Sequence, residues 1–258
     1  MVNYSFPISS ESTGLTFSDQ VSYLEMNERK LSDLKDVLYK NQGLDFDCSI
    51  YKMYRGVTGI ADKEIFKDIR HDITNMPPGT LNGEFVKTYG HYHPKVKNIG
   101  YPEVYQIING RAVFVLQDDY DDLKQVNFIF AKAPEIVIVP PDLGHVVINI
   151  ASDNLIFSNL IFSHFQSLYE PYQRKKGAAY YITEGSPLQW LVNSHYTSSP
   201  QPKLLRPKTI WDNQFIYDLF KNNPANFQFL AEPQSFQFSP EEIFEEKNIT
   251  DIYQDLTI

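Results

Sequence analysis

From Ile50 to Ser163 the chain breaks into short runs of Val, Ile, Phe and Tyr that recur every eight to twelve residues. The runs SIYKMYRGV, EFVKTYGHYH, EVYQII, RAVFVLQ, VNFIFA, EIVIV, HVVINI and LIFSNLIF are divided by clusters of Pro, Gly, Asn and Asp. That spacing belongs to antiparallel strands in a sandwich or barrel. Large aromatic side chains suit a half-buried pleated surface, and the chain carries 17 Tyr and 18 Phe. Asn109-Gly110 stands between two of the runs and predicts a two-residue hairpin turn. Pairing across it sets Tyr105 opposite Phe114 and Glu103 opposite Leu116. Glu103, Tyr105 and Ile107 then share a face with Ala112, Phe114 and Leu116.

The flanking regions read differently. Leu31, Leu34 and Leu38 are at helical spacing and predict an amphipathic helix over Asn27–Lys40. The expected organisation is an N-terminal extension (1–48), a β domain (49–195) and a C-terminal extension (196–258) packed on that domain or on a partner subunit. Helical stretches are expected near Trp211–Lys221 and Pro240–Lys247, and DDYDD (118–122) as a solvated loop. Counting 23 Lys+Arg against 32 Asp+Glu gives −9, which argues against a general nucleic-acid binder and an anionic membrane surface. Cys48 is the only cysteine, so no intramolecular disulfide can form. The chain shows no secretory signal pattern and no long apolar span, so a soluble cytoplasmic protein is expected.

Three of the six histidines fall in the β region in an informative order. His91 and His93 project to one face of a strand. Glu103 opens the strand EVYQII, and Pro140-Pro141-Asp142-Leu143-Gly144 turns into a strand beginning at His145. An acid on an otherwise apolar and aromatic face is costly to bury unless a cation pairs with it. A lone strand histidine is usually structural; His91, His93, Glu103 and His145 in this order read as one metal shell. Three imidazoles and a carboxylate suit a divalent Fe, Mn, Ni, Co or Zn ion and leave two of six octahedral positions for water or substrate. His71, His164 and His195 are expected to be non-ligands.

The order HxH, Glu103, then a Pro turn with His145-x-x-x-Asn149 resembles the two motifs of the cupin superfamily. Nine residues separate His93 from Glu103, more than the usual three or four, and Asp142 stands where glycine is often found. The longer stretches TNMPPGTLNGEFVKTYGHYHP, YPEVYQIINGRAVFVLQ and VPPDLGHVVIN resemble the cupin-type glucose-6-phosphate isomerases of archaea and some bacteria, over roughly residues 50–195.

The resemblance implies a mainly β fold, a single cupin (double-stranded β-helix or jelly-roll) barrel, usually a homodimer. It implies one divalent metal per subunit on His91, His93, Glu103 and His145, and interconversion of glucose 6-phosphate and fructose 6-phosphate. Thr74, Thr88 and Gly90 match phosphate-holding positions, Tyr105 a substrate-contacting tyrosine, and Tyr54 a further phosphate contact. Either Tyr169 or Tyr172 matches a tyrosine that approaches the sugar. Glu103 is then the candidate base and Tyr105 a donor to a sugar oxygen.

Hydroxyls and a glycine N–H supply phosphate donors without a charge cluster, with Lys87 and Lys95 as possible sources of positive potential. Thr88 and His91 differ by three, so a bulge at Tyr89-Gly90 is needed to bring both into one cavity. Two other classes remain: a metal-dependent dioxygenase, which would use the same four ligands but has no need of Thr74, Thr88 and Gly90, and a non-enzymatic sugar-binding cupin, which would be expected to have lost one or more ligands.

Overall fold

The computed structural model describes residues 4–11, 14–185, 188–211 and 214–256. In chain order the strands that carry the fold are β1 (Glu25–Lys30), β2 (Ser49–Arg55), β3 (Ile69–Met76), β4 (Glu103–Asn109), β5 (Arg111–Gln117) and β6 (Val126–Lys132). They continue with β7 (Ile136–Val139), β8 (Gly144–Asn149), β9 (Leu155–Phe162), β10 (Lys203–Pro207) and β11 (Phe244–Glu246). One sheet runs β7-β4-β9-β3-β2-β1 and the other β8-β5-β6-β10-β11. The two face each other as the walls of a cupin-type jelly roll, without the closed hydrogen-bonded rim of a barrel. Ile107, Phe114, Phe128 and Phe130 are fully buried, each contributing roughly 1.5–3 kcal/mol of hydrophobic stabilisation.

The predicted hairpin at Asn109-Gly110 does not form. β4 and β5 are consecutive but belong to different sheets, because each already has a neighbour on both edges: β7 and β9 for β4, β6 and β8 for β5. Gly110, at φ +88°, turns the chain from one wall to the other, and the Asn109 side chain anchors the corner by donating to the Asn154 carbonyl at 2.7 Å. Tyr105 and Phe114 still meet, across the interior, with ring centroids 5.2 Å apart.

The extensions also depart from expectation. Residues 25–30 form the edge strand β1, and the expected helix shrinks to one turn, Leu31–Leu34, followed by a 3-10 turn at Lys35–Val37. Leu31, Leu34 and Leu38 are buried as their spacing demanded. In the tail the helix is Ile216–Asn222; positions 212–213 of the expected stretch lie outside the described residues. Pro240–Ile243 is a single turn running into β11, and a helix at Ile249–Leu256 went unread. Because β1, β10 and β11 are strands of the two main sheets, those sheets run past 49 and 195 in both directions.

His71 illustrates a buried histidine with a purely structural set of partners. Its Nδ1–H donates to the Val57 carbonyl at 2.7 Å, and its Nε2 accepts from the Tyr4 hydroxyl at 2.9 Å. Burial pushes its pKa down to about 4 from 6.5. The imidazole is neutral in the fold and protonates in the unfolded chain, so its contribution is complete above pH 6.5 and is lost as pH falls toward 4. Between pH 7.5 and 5 this amounts to about 2 kcal/mol. Urea midpoints at those two pH values should fall further for the wild type than for His71→Gln, and equal falls would remove His71 from the pH dependence.

Candidate metal centre and substrate cavity

The segment 87–93 runs beside β8. Thr88 N–H donates to the Val147 carbonyl at 2.8 Å, and His91 and His145 exchange both backbone hydrogen bonds at 3.1 and 3.0 Å. Between them Gly90 adopts φ +84°, and an added Cβ would lie 2.6 Å from the Tyr172 ring. This is the irregularity the sequence required, and Thr88 and His91 line one cavity. The nine residues between His93 and Glu103 hold a small ribbon, Lys95–Val96 paired with Ile99–Gly100. Asp142 takes φ +67°, a left-handed conformation in which glycine is the easier residue. Its Oδ1 accepts the Gly100 N–H at 3.0 Å and so ties the ribbon to the turn that delivers His145.

One ligand atom from each of His91, His93, Glu103 and His145 falls within 4.8 Å of the others. Glu103 Oε2 lies 3.2 Å from His145 Nε2, 3.3 Å from His93 Nε2 and 4.0 Å from His91 Nε2. Second partners orient these groups. His93 Nδ1–H donates to the Tyr101 carbonyl at 2.8 Å, which leaves the Nε2 lone pair aimed into the cluster. Asn159 Nδ2–H donates to Glu103 Oε1 at 2.8 Å, and the Tyr105 hydroxyl lies 2.9 Å from His145 Nε2.

Burial, with the neighbouring rings of His145 and His93, holds His91 well below the usual imidazole range, and burial lowers His145 as well. Burial acts to raise the Glu103 pKa, but the contacts from His145 and His93 outweigh it and keep the carboxyl well below its usual range. Glu103 Oε2 is buried, and apart from its close approach to the His145 and His93 Nε2 atoms it has no hydrogen-bond partner among the described residues. Neutral imidazole nitrogens around an ionised oxygen lack a cation to share, and the four residues fit a divalent ion.

The cluster opens onto a cavity of about 420 Å³. Thr74, Thr88, Gly90, Glu103 and Tyr105 all line it. Tyr54 does not: its hydroxyl accepts the Leu15 N–H at 2.8 Å and its ring packs on Phe17 and Tyr23. Tyr51, on the other face of β2, lines the cavity instead. Of the two competing tyrosines, Tyr169 lines the cavity with its ring 5.5 Å from that of His91, whereas Tyr172 is fully buried beneath Gly90.

Lys87 is buried against Glu84, and Lys95 pairs with Asp142 at the surface at 2.9 Å. His71 and His164 have other partners, Val57 and Asp68, and stand apart from the cluster, as does His195. Sequence reasoning missed the arginines. Arg29, Arg55 and Arg70 line the cavity, contrary to the expectation of a site without a charge cluster. Arg55 shares strand parity with Tyr51, and that was the signal available.

The family model described as Glucose-6-phosphate isomerase (GPI) matches residues 28–201. A glucose-6-phosphate isomerase of Thermococcus litoralis is 31% identical over 134 residues, covering 50% of this chain and 65% of that protein. Another, from Thermococcus gammatolerans, is 24% identical over 173 residues, covering 66% of this chain and 86% of its own. The match to the first of these spans just under two thirds of the relative's length. Among solved structures, oxalate decarboxylase from Bacillus subtilis aligns at 21% identity and a TM-score of 0.35, over 46% of this chain and 27% of that one.

Proposed function

Because the chain belongs to the glucose-6-phosphate isomerase family, we propose that it is a metal-dependent aldose–ketose isomerase interconverting glucose 6-phosphate and fructose 6-phosphate. The observation that carries the reading is a four-ligand cluster opening onto the cavity that Thr74, Thr88 and Gly90 line. A dioxygenase for apolar substrates has no use for that polar and cationic lining, and a binding module has no need of a complete ligand set.

His91, His93, Glu103 and His145 would hold the ion, which as a Lewis acid supplies polarisation of the substrate carbonyl and balances enediolate charge. Fe, Mn, Ni, Co and Zn all suit the donor set. The phosphate is received by the Thr74 and Thr88 hydroxyls and the Gly90 amide; Thr88 Oγ1 already accepts the Val147 N–H at 2.9 Å, so its own proton is free to donate. Burial, with the Glu103 charge beside it, raises the Tyr105 hydroxyl well above its ordinary value, so it stays protonated and donates to a sugar oxygen. In an enediol route Glu103 is the candidate base that would move the proton between C2 and C1 of the sugar, with Asn159 fixing its other oxygen. Phe157 and Ile161 give the cavity an apolar stretch of wall that limits water. The reading includes a homodimer in the cytoplasm.

A coupled assay on fructose 6-phosphate is the test. Chelation should abolish turnover and one or more of the five ions, added back singly, should restore it; absence of turnover with every ion would refute the isomerase. Thr88→Val should chiefly raise KM, since binding that is similar in the ground and transition states is lost. An unchanged KM would move the phosphate elsewhere.

A further inference from the structure

Asp72 is fully buried on β3, and its carboxylate gathers three donors: Arg55 Nη1 at 2.7 Å, Arg70 Nε at 2.8 Å and the Gly56 amide at 2.9 Å. Two guanidinium groups on one carboxylate leave a net positive charge, and both arginines line the cavity beside Glu103, Tyr105 and Asn159. The terminal nitrogens of Arg70 make no hydrogen bond among the described residues. Arg55 spends its other terminal nitrogen on the weak acceptor Met53 Sδ at 3.1 Å. Donors in a planar fork, held still by a buried acid and left open on the cavity side, match the oxygens of a phosphate.

The phosphate set has a cation of its own. Arg29 reaches the cavity from β1, with its guanidinium 5.8 Å from the centroid of the Tyr169 ring, and its Nε is buried with no hydrogen-bond partner among the described residues. No carboxylate lies within ion-pairing distance of it among the described residues. Thr74 and Arg70 are four residues apart on β3, about 13 Å between Cα atoms. Thr74, Thr88, the Gly90 amide and Arg29 all line the cavity and would together supply donors for one dianion. The Asp72 arginines are a second cationic pole.

We propose that Arg55 and Arg70, positioned by Asp72, form a second anion subsite, so that the cavity takes sugar bisphosphates in preference to sugar monophosphates. Such ligands compete with the substrate for the same cavity. The inference rests on the reading of the cavity as a sugar-phosphate site, and deepens it by ligand class.

Calorimetric titration of the metal-analysed protein with fructose 1,6-bisphosphate and fructose 6-phosphate decides it. The bisphosphate should bind on the order of tenfold to a hundredfold more tightly, as for added hydrogen bonds to a charged group, and with the steeper salt dependence. Arg70→Gln should bring the two affinities within about twofold of each other, while Arg70→Lys should keep part of the gap.

Equal affinities in the wild type would overturn the subsite, and so would the same ratio in Arg70→Gln. Equal weakening of both ligands would place the arginines on the shared phosphate and overturn it too. If Arg70→Gln fails to fold, the wild-type ratio and its salt dependence still decide. A preserved ratio in a protein without turnover on any ion would refute the isomerase and leave the subsite standing; turnover without the ratio would do the reverse.

Discussion

His93→Ala should abolish turnover through loss of the metal and leave the fold intact. His93 is buried, and its Nε2 is one of four converging ligand atoms held in place by the Nδ1–H bond to Tyr101. Its removal takes away a ligand and leaves the Tyr101 carbonyl without a donor, at a cost of about 1–3 kcal/mol. The apolar interior formed by Ile107, Phe114, Phe128 and Phe130 is untouched. Metal analysis, circular dichroism and the coupled assay on one preparation should show an empty site, a native spectrum and no turnover. Near-normal turnover without bound metal would separate the cluster from the chemistry.

Glu103→Gln probes the proton path. The change keeps size and one ligand oxygen but removes the charge and nearly all basicity. The contacts that hold the Glu103 carboxyl below its usual range also make it a weak base, so what it contributes comes from position. If it relays the proton, turnover falls by a factor on the order of 10² to 10⁴, as for loss of a general base, even with the metal restored by excess ion. If hydrogen moves directly as hydride, the loss tracks metal occupancy alone. Solvent hydrogen in the product is the second observable, because an enediol route exchanges its proton and a hydride shift does not. A fully metallated Glu103→Gln enzyme with wild-type turnover and no solvent exchange would leave Glu103 a ligand only.

The cluster of His91, His93, Glu103 and His145 was legible because its signal is local. Strand parity puts His91 and His93 on one face, and an acid at a strand start beside apolar neighbours announces a missing cation. Tyr54 came from the family resemblance alone; β2 is largely buried on both faces, so its pattern does not say which side is the interior. The Asn-Gly turn at 109–110 was visible, but a turn signal does not carry the identity of the strands that will flank it. That depends on pairings made with β7 and β9 far along the chain. β1 was read as helix because the leucines that follow it dominate the pattern, and Arg29 was lost with it. Arg55 and Arg70 stand at or next to strand ends, where charges are common, and only the buried Asp72 between them shows their role.

The strands supplied by the two extensions have a consequence for how the sheets end. β6 is rich in Phe and Ile, and its outer edge is covered by β10, which is in turn covered by β11. Cutting the chain at 195 would leave that edge unpaired, a flat apolar template for a neighbouring molecule. As the chain stands, the outermost strands on those sides read EMNERK in β1 and FEE in β11. Two FEE edges repel as like charges, and the four charged side chains of EMNERK, two acids and two bases, resist the desolvation that edge pairing requires. At these two edges the extensions therefore end the sheets in charged strands, and a fragment bounded by the recognisable motifs would be expected to precipitate more readily than the whole chain.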